Sequence, residues 1–483
     1  MNQLTRRTFI QSGAAVGATA TLPMRSLLAA SAADQVNLGV VGCGWRGGQL
    51  LKYFQALEGV AIAGLCDVDR SLLDEQGQQA PQAKRWTDLR QMFDSPDIDA
   101  VVVATCNHWH CLAAIWAMQA GKHVYVEKPL GHSQWEGEQV VKAAQVYGKI
   151  CQVGTQQRSD PMQEEIKQFL HNDKAIGEIE SVRVNRFGVR EPIGRRAEPL
   201  SPPAGVNYDL WLGPAQEQPI YRDKLHYDWH WDWNTGSGEM GNWGVHIIDD
   251  VRNNVFLDKV AAPSAITAAG SRFAWNDAGN TPNVHFAVLD AGGLPVVVTL
   301  SNLPWKETSA KIPGPGSGYI VYGSGGQLQG RRGGAKALDP NGKLIRKFEG
   351  DDQGGNVYHQ QNFIDAIRAH QPSLLAAPVQ VGHDSTSWCN MINIATRAPI
   401  TSEPAAIESL PATFGEQSTA SILQQLNTIV AANSTASSAP QLQLGPTLRF
   451  STESAQFMSA GSKFANDLLR REDREPYVVP EVS

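Results

Sequence analysis

This sequence lacks several features that mark common classes of protein. Its six cysteines include no C-x-x-C pair, so a structural zinc site or a dithiol redox motif has little support, and we expect no metal site. It contains no block of basic residues and no internal repeat. After residue 32, no apolar run is long enough to span a bilayer. These absences point to a globular protein with a single copy of each structural unit.

Basic charge is also scarce. The formal net charge is −7, and residues 1–32 contain three arginines and no acidic residue, so the remainder of the chain carries a net charge of −10. An acidic balance disfavours nucleic acid or an anionic membrane as the main partner. The remaining chain of about 450 residues is long enough for two or three domains with a substantial core.

Residues 1–32 have the pattern of a twin-arginine signal peptide. Arg6 and Arg7 precede an uncharged, mainly apolar stretch over residues 9–22, and residues 30–32 (A-S-A) offer a cleavage site. The alternative is a chance arginine pair in a disordered start, which the agreement of all three features disfavours. The twin-arginine pathway exports folded proteins. The sequence therefore predicts a periplasmic protein that carries a tightly bound cofactor with it.

A dinucleotide-binding motif follows. Residues 36–41 predict a buried strand, and Gly42, Gly44 and Gly47 follow it as G-x-G-x-x-G, before a stretch with helical apolar spacing and a second predicted strand. These glycines permit a tight turn, close approach of a pyrophosphate and close helix–strand packing. Asp67 ends the second strand, where an acid bonds the ribose hydroxyls. The motif predicts NAD as cofactor, with NADP as the second candidate.

The alternation of strands and helices continues beyond this motif. The predicted strands are residues 100–104, 124–126 and 150–153, and the predicted helices are residues 109–120 and 135–147. This order predicts a doubly wound parallel sheet with helices on both faces. The pattern changes after about residue 155. Alternating apolar runs at residues 265–273, 284–289, 294–300 and 319–322 predict an open antiparallel sheet.

Two segments carry a family resemblance. They are Thr105-Cys106-Asn107-His108-Trp109-His110 and Ala120-Gly121-Lys122-His123-Val124-Tyr125-Val126-Glu127-Lys128-Pro129. The Glu-Lys-Pro triplet after a strand is typical of the glucose–fructose oxidoreductase/inositol dehydrogenase/MocA family, which the sequence resembles from about residue 36 to its end. Cys106 departs from the family, which usually has proline there, so we expect the backbone of this loop to differ.

The resemblance implies an α/β fold with an N-terminal Rossmann domain and an α+β domain that contains a large open, mostly antiparallel sheet. We expect the signal peptide over residues 1–32, the dinucleotide-binding domain over 33–155 and the substrate-binding and oligomerisation domain over 156–400. Residues 401–483 are expected to form a C-terminal extension that packs on these domains. The outer face of the open sheet is expected to be free to dock a partner subunit in a homo-oligomer.

The resemblance also implies the residues that hold the cofactor. They are Gly42, Gly44, Trp45, Arg46, Gly47, Asp67, Thr105, Asn107, His110, Glu127, Lys128, Gln156 and Arg158.

Three residues are candidates for catalysis. A lysine at the end of a parallel strand points into the crevice where ligands bind, and burial there lowers its pKa, so Lys128 is suited to take the proton of a sugar hydroxyl. The family pairs this lysine with an Asp-x-x-x-His motif, in which the histidine is an acid/base. This sequence has Asn242 and His246 instead. The histidine is retained but the carboxylate is not, which puts the usual proton relay in doubt.

An aromatic segment between residues 211 and 243 contains five of the thirteen tryptophans. Aromatic rings interleaved with polar side chains suit a carbohydrate, although an aromatic loop that fills a domain interface has the same composition. The proposed substrate contacts are Trp229, His230, Trp231, Trp243 and Asp249.

Three functions fit these features. The first is an exported NAD(P)-dependent oxidoreductase that acts on the CH–OH group of a sugar or sugar derivative. The second is an NAD-dependent glycoside hydrolase, which oxidises a sugar hydroxyl, eliminates the aglycone, adds water and reduces the ring again. The third is a non-catalytic sugar or nucleotide binder, against which Lys128 and His246 together argue.

Overall fold

The structure is a computed structural model that describes residues 35–307, 309, 311–351, 355–399, 405–411, 413–434, 440–459 and 462–483. The predicted signal peptide lies outside the described residues. Among the helices of the described part of the chain, none is both long and apolar enough to cross a membrane.

The first half of the fold is a six-stranded parallel sheet. Its strands are β1 Val36–Val41, β2 Val60–Cys66, β3 Lys84–Trp86, β4 Ala100–Val103, β5 His123–Val126 and β6 Cys151–Val153. Its helices are α1 Trp45–Gln55, α2 Arg70–Gln79, α3 Leu89–Phe93, α4 His110–Gln119 and α5 Gln134–Val146. The strand order is β3-β2-β1-β4-β5-β6, and every pairing is parallel. The predicted Rossmann fold is confirmed.

Apolar side chains cover both faces of this sheet. In β4 all four residues are buried, and alternate residues enter two different cores. Val101 and Val103 pack with α4 and α5, whereas Val102 packs with Leu50 and Phe54 of α1. A strand that is buried on both faces must be apolar throughout, which is why these strands are visible in the sequence as short continuous runs.

The second half of the fold is a ten-stranded sheet. Its strands are β7 Ile179–Phe187, β8 Ala265–Ser271, β9 Val284–Ala291, β10 Leu294–Ser301, β11 Ser317–Gly323, β12 Gly326–Arg331, β13 Gly334–Leu338, β14 Leu344–Glu349, β17 Leu448–Ser451 and β18 Gln456–Phe457. Two short strands, β15 Thr413–Phe414 and β16 Gln417–Ser418, pair separately. The order is β14-β13-β12-β11-β7-β10-β9-β8-β17-β18, with β7 and β10 as the parallel pair. The expected large, mostly antiparallel sheet is confirmed.

The helices of this half pack on both faces of the large sheet and against the parallel sheet. They are α6 Met162–Lys167, α7 Tyr208–Leu212, α8 Val245–Asn254, α9 Asn356–Ala369, α10 Val379–Arg397, α11 Thr419–Asn433 and α12 Ser462–Asp467. Helices α8 and α10 bury Val251 and Ile392 against Val182 and Val298 of the sheet. Helix α9 instead packs with the Rossmann sheet, where Phe363 contacts the rings of Phe54 and Tyr125.

The outer face of the large sheet is covered in part by the same chain, which corrects the expectation that this face is free. Strand β9 directs Phe286 and Val288 outward, and these side chains form a core with Ile422 and Leu426 of α11. Arg183 of β7 also donates hydrogen bonds to Gln417 and Gln425 in the covering segment. Because β9 and β10 are apolar on both faces, each face needs a cover, and the described residues of the segments 405–411, 413–434 and 440–444 supply it over β8–β10.

Candidate active site

A cavity of about 580 Å³ lies between the two sheets at the carboxyl edge of the parallel strands. It is lined by the residues that directly follow β1, β2, β4 and β5, namely Gly42, Asp67, Ala104 and Glu127. The opposite wall comes from the large-sheet half of the molecule. Open parallel sheets bind ligands at this edge, and the volume is typical of a small-molecule site.

The glycine turn at this edge fits a dinucleotide. Gly42 has a φ of +88°, and a side chain there would lie 2.6 Å from the carbonyl oxygen of Ala104. A side chain on Gly47 would lie 1.8 Å from the carbonyl oxygen of Gly42, so α1 can approach β1 only with glycine at this position. Gly44 lines the cavity, and a side chain there would meet no atom within 4 Å. The space beside Gly44 is therefore open for the pyrophosphate of a bound cofactor.

Asp67 directly follows β2 and lies at one end of the cavity. Its two carboxylate oxygens accept hydrogen bonds from the backbone N–H groups of Cys43 (2.6 Å) and Asp69 (2.8 Å). Burial raises the pKa of Asp67, and these N–H groups oppose that shift. His226 also lines this end, where its Nε2 contacts Asp69 at 2.9 Å. The arrangement holds one carboxylate at the position where a Rossmann fold binds the ribose hydroxyls.

Glu127 joins several of the expected cofactor residues into one network. Its Oε1 accepts hydrogen bonds from Arg46 Nε at 2.7 Å and from Gln156 Nε2 at 3.2 Å. Burial disfavours the charge of Glu127, but the cations Arg46 and Lys128 outweigh that effect and lower its pKa. Trp45, which begins α1, also lines the cavity and is 74% exposed, so its ring is available at the cavity mouth.

The loop after β4 keeps the backbone that a proline would have. Cys106 has a φ of −67° and a ψ of 155°, and proline fixes φ near −65°. The expected difference in backbone is therefore not found. Thr105, Asn107 and His110 of this loop all line the cavity. His110 holds the loop in place, because its ring nitrogens contact the carbonyl oxygens of Pro129 (2.7 Å) and Thr105 (3.1 Å).

Lys128 lies at the other end of the cavity, after β5. The peptide bond that follows it, to Pro129, is cis. Its Nζ donates hydrogen bonds to the backbone oxygen of Asn242 (3.0 Å) and to the side-chain Oδ1 of the same residue (3.3 Å). The pKa of Lys128 is lowered to about 8, mainly by burial, with the nearby cations Arg46 and Arg332 acting in the same direction and Glu127 and Glu239 opposing them. A lysine with such a pKa exchanges protons near neutral pH.

Asn242 connects Lys128 to a carboxylate that the sequence pattern did not reveal. A π-helical turn over Met240–Gly244 precedes α8 and carries Asn242. Its Nδ2 donates to Glu239 Oε2 at 3.2 Å, while its Oδ1 faces Lys128. Glu239 is fully buried and also binds Arg186 (2.6 Å) and Arg190 (3.1 Å). The carboxylate that is missing from position 242 is thus supplied by Glu239, with the amide of Asn242 between it and Lys128.

His246 lines the same end of the cavity, one turn along from Asn242. Its ring lies 5.8 Å from that of Trp243 in an edge-to-face arrangement. Burial lowers the pKa of His246 well below its usual range, and the cations Arg332 and Lys128 lower it further. The imidazole is therefore neutral at pH 7, and can accept a hydrogen bond or a proton from a bound hydroxyl.

The aromatic residues divide into two groups. Trp229, His230 and Trp243 line the cavity, and the rings of Trp229 and His230 stack with 3.6 Å between centroids. Trp231 does not line it, because this side chain is only 3% exposed and packs against Tyr227. The expectation that Trp231 contacts substrate is therefore corrected: it supports the loop that presents its neighbours.

Arg158 and Asp249 also lie outside the cavity, contrary to expectation. Arg158 Nε contacts both carboxylate oxygens of Asp249, at 2.9 and 2.8 Å, and its two Nη atoms bond Asp258. Asp249 accepts a further bond from Ser385 at 2.7 Å. Neither side chain of this buried pair is left free for cofactor, for substrate or for orienting His246. Their contacts join α8 to the segment after β6.

Two arginines that line the cavity were missed in the sequence. Arg190 follows β7 and bonds Glu239 and the hydroxyl of Tyr227. Arg332 lies in the turn between β12 and β13, and its Nη2 donates to Gln156 Oε1 at 3.1 Å. The sequence around each gave no local signal, because only the tertiary fold brings them to Lys128. No group of three or more His, Cys, Asp or Glu side chains among the described residues is arranged to hold a metal ion.

Comparison with known protein families agrees with this geometry. Residues 36–155 match the oxidoreductase family with an NAD-binding Rossmann fold, and residues 193–315 match the C-terminal alpha/beta domain of the same oxidoreductase family. Residues 3–23 match the signal sequence of the twin-arginine translocation pathway. The two oxidoreductase matches together span half of the chain.

Individual relatives are more distant. A glycosyl hydrolase family 109 protein from Shewanella pealeana is 36% identical over 127 residues, which are 24% of this chain and 28% of that protein. A scyllo-inositol 2-dehydrogenase (NADP(+)) from Bacillus subtilis is 25% identical over 66% of this chain and 77% of its own length. The crystal structure of the WlbA dehydrogenase from Bordetella pertussis, in complex with NADH and UDP-GlcNAcA, has a TM-score of 0.56 and 18% identity over 75% of this chain and 97% of that one. The chain thus spans little more than a quarter of the length of the glycosyl hydrolase relative.

Proposed function

The chain belongs to the glucose–fructose oxidoreductase/inositol dehydrogenase/MocA family of oxidoreductases, and from this premise we propose that it is an exported, NAD-dependent enzyme that acts on the CH–OH group of a sugar or sugar derivative. The inositol dehydrogenase relative and the WlbA structure with its sugar nucleotide support a carbohydrate substrate. The aromatic rings of Trp229 and Trp243 in the cavity support it as well.

The observation that carries this proposal is the position and pKa of Lys128. The lysine lies at the carboxyl edge of the parallel sheet, in the same cavity as the glycine turn, and burial brings its pKa to about 8. NAD held by the residues around Gly44 and Asp67 would accept the hydride that leaves the substrate carbon. The neutral amine of Lys128 takes the hydroxyl proton, so that the CH–OH group becomes a carbonyl.

The residues around Lys128 have distinct proposed roles. Asn242 holds the amine in place through two hydrogen bonds, and its amide positions the lysine relative to Glu239. His246 is neutral and binds the reacting hydroxyl or passes its proton onward. In the reverse direction, protonated Lys128 donates to the carbonyl oxygen while it is reduced. Loss of the amine therefore stops the chemistry in both directions without removing a cofactor contact.

The cofactor is proposed to be NAD and to remain bound during export. The open space at Gly44, the network from Arg46 to Glu127 and the carboxylate of Asp67 support a dinucleotide in this cavity. Asp67 would repel the 2′-phosphate of NADP, which favours NAD. Because free nicotinamide cofactor is scarce outside the cytoplasm, the enzyme must regenerate it in place. Protein purified from the periplasm should release nearly one equivalent of NAD on denaturation.

One experiment separates the candidate activities. Purified protein, with no added cofactor, is incubated with a panel of free sugars and aryl glycosides, and both products and bound nicotinamide are followed. Paired oxidised and reduced sugars, with a transient rise of reduced nicotinamide, support the proposed oxidoreductase. A protein that releases no nicotinamide cofactor and converts no substrate would contradict it.

A glycoside hydrolase activity is the second candidate. The similarity to glycosyl hydrolase family 109 proteins favours it. In this alternative a hydroxyl is oxidised, the aglycone is eliminated, water adds, and the ring is reduced again, so that no net oxidation occurs. Release of an aryl aglycone with an unchanged redox balance would select this alternative over the first.

We also propose three features of the whole protein. The match to a twin-arginine signal over residues 3–23 supports a periplasmic location and a signal peptide over residues 1–32. The strand order supports a boundary near residue 155 between the nucleotide-binding and substrate-binding domains, although α9 packs with the parallel sheet of the first domain. Self-association is proposed through the β12–β14 part of the large sheet, where Leu344 and Ile345 of β14 are exposed. Light scattering of the purified protein would report the mass of the assembly.

A further inference from the structure

The charges at the Lys128 end of the cavity do not balance. Both carboxylates near Lys128 are already engaged. Glu127 pairs with Arg46, and the single carboxylate of Glu239 is shared by Arg186 and Arg190. Among the described residues, neither Lys128 nor Arg332 has a carboxylate within ion-pairing distance. This end of the cavity therefore carries an excess of positive charge.

The electrostatic environment of His246 agrees with this excess of positive charge. The charged groups that lower its pKa, in addition to burial, are all cations, with Arg332 first. Asp250 is the acidic group with the largest charge effect on Arg332, but burial beside Asp249 raises the pKa of Asp250 and so disfavours its charged form.

Arg332 is also short of hydrogen-bond partners. Its guanidinium has five N–H donors, and the described structure gives it one side-chain bond, from Nη2 to Gln156 Oε1. The side chain lines the cavity and is partly buried, so it can donate into the cavity. A guanidinium fork matches the two oxygens of a carboxylate, which makes that group its preferred ligand.

The position of Arg332 argues for a substrate rather than the cofactor. A pyrophosphate has its own site at Gly44 and the start of α1, where Arg46 already lies. Arg332 instead lines the cavity together with Lys128 and His246 at the reacting end, and it is the charged group that most lowers the pKa of His246.

We propose that the substrate is an anionic sugar, with a carboxylate that Arg332 binds while one of its hydroxyls meets Lys128. The proposal rests on the proposed oxidoreductase function and narrows its substrate to the uronic and aldonic acid class. The stacked rings of Trp229 and His230 then provide an apolar wall for the sugar ring. A neutral hexose would leave Arg332 without a counter-charge in the closed complex, so it should bind more weakly.

The test measures binding by calorimetry to the cofactor-loaded protein. The probes are glucuronate, galacturonate and mannuronate, each beside its neutral hexose. We expect at least one uronate to bind at least tenfold more tightly than its hexose. Arg332→Gln should abolish that preference and Arg332→Lys should retain part of it. Arg331→Gln is the matched control, because Arg331 directly precedes Arg332 at the end of β12 but is exposed and does not line the cavity.

Two results would overturn the proposal. One is the absence of a uronate preference in every pair. The other is loss of bound NAD from the Arg332→Gln protein while Arg331→Gln keeps it, which would assign Arg332 to the pyrophosphate. Reduction of bound nicotinamide is read separately in the same samples. A uronate that binds in an Arg332-dependent way without reducing the cofactor would support this inference and contradict the proposed oxidation.

Discussion

The two ends of the cavity are built in different ways. At the Asp67 end, the carboxylate is held by backbone N–H groups of Cys43 and Asp69, all within a short stretch of one Rossmann unit. At the Lys128 end, the groups come from distant parts of the chain, since Asn242 follows 114 positions later and Arg332 later still. The Asp67 end is thus formed by residues close together in the sequence and is suited to bind a dinucleotide. The Lys128 end is formed by residues that only the tertiary fold brings together, and its charge and pKa values suit a proton transfer.

This difference predicts that substitutions at the two ends separate binding from chemistry. Changes at Asp67 should alter which cofactor is held and leave the chemical step intact. Changes at Lys128 and its neighbours should alter the chemical step and leave the cofactor in place. A substitution at Asp67 that slows the chemical step, or one near Lys128 that releases the cofactor, would contradict this separation.

The largest effect is expected for Lys128→Met. Removal of the amine eliminates the proton acceptor, and general acid–base groups contribute about 10²–10⁴-fold to rate. Turnover should therefore fall by about 10³-fold while the bound cofactor stays near one equivalent. Steady-state rates and cofactor release measure the two quantities. Lys84→Met, at an exposed ion pair with Asp97, is the control and should leave both unchanged. Loss of cofactor with a small fall in rate would place Lys128 in nucleotide binding instead.

A smaller loss, about 10²-fold, is expected for His246→Ala. The neutral imidazole is proposed to bind the reacting hydroxyl, so its removal should slow reduction of bound nicotinamide in a single turnover. His226→Ala is the matched change at the opposite end, where the histidine contacts Asp69. It should affect cofactor retention and not the chemical step. Equal effects of the two substitutions on the single-turnover rate would contradict the division between the ends.

Asn242→Asp should shift the pH dependence rather than the maximal rate. A carboxylate at hydrogen-bonding distance from Lys128 favours the ammonium form, so the pKa of Lys128 should rise by about 1–3 units. The rate of substrate oxidation should then require a higher pH, and Asn242→Leu, which removes both the amide and its bonds, should not produce this upward shift. Stopped-flow absorbance across pH measures the midpoint. An unchanged midpoint in the Asp variant would show that position 242 does not set the proton affinity of the lysine.

The smallest effect is expected at the nucleotide end. Asp67→Asn keeps the shape of the side chain and removes the charge that repels a 2′-phosphate, so the preference for NAD over NADP should narrow by about tenfold. Competition between the two cofactors for unloaded protein measures this ratio. Arg70→Ala is the companion variant, because an arginine at that position is able to reach a 2′-phosphate. A preference for NADP in the unmodified protein would overturn the role given to Asp67.

The same contrast explains what the sequence could reveal. The strand, the glycine turn and Asp67 are contiguous, so local pattern identified them, and the predicted Rossmann fold is confirmed. Local pattern did not reveal α2 or β12, whose residues are largely polar, or α3, β13 and β14, which are short. Whether a strand face is covered also depends on distant residues, which is why the outer face under α11 was expected to be free.

The Lys128 end of the cavity shows most clearly what could not be predicted from the sequence. Asn242 was recognised as a departure from the family, but nothing in the neighbouring sequence indicated that Glu239 accepts a hydrogen bond from its amide. Arg158 and Asp249 were expected in the site because of their type and position, and the structure pairs them with each other instead. Arg332 was invisible because it lies in a hairpin turn with no motif. A charged residue's role depends on which partner satisfies it, and that is a property of the tertiary structure.

The central claim is that the amine of Lys128, with a pKa near 8, accepts the proton as substrate is oxidised. The most direct test is the single-turnover reduction of bound nicotinamide by substrate, followed from pH 6 to pH 10, about two units on either side of that pKa. Because the neutral amine is the active form, the rate should rise about tenfold per pH unit below pH 8 and level off above it. The rise should be absent in Lys128→Met. A rate that does not depend on pH, or a rise that survives in the Lys128→Met protein, would contradict the account.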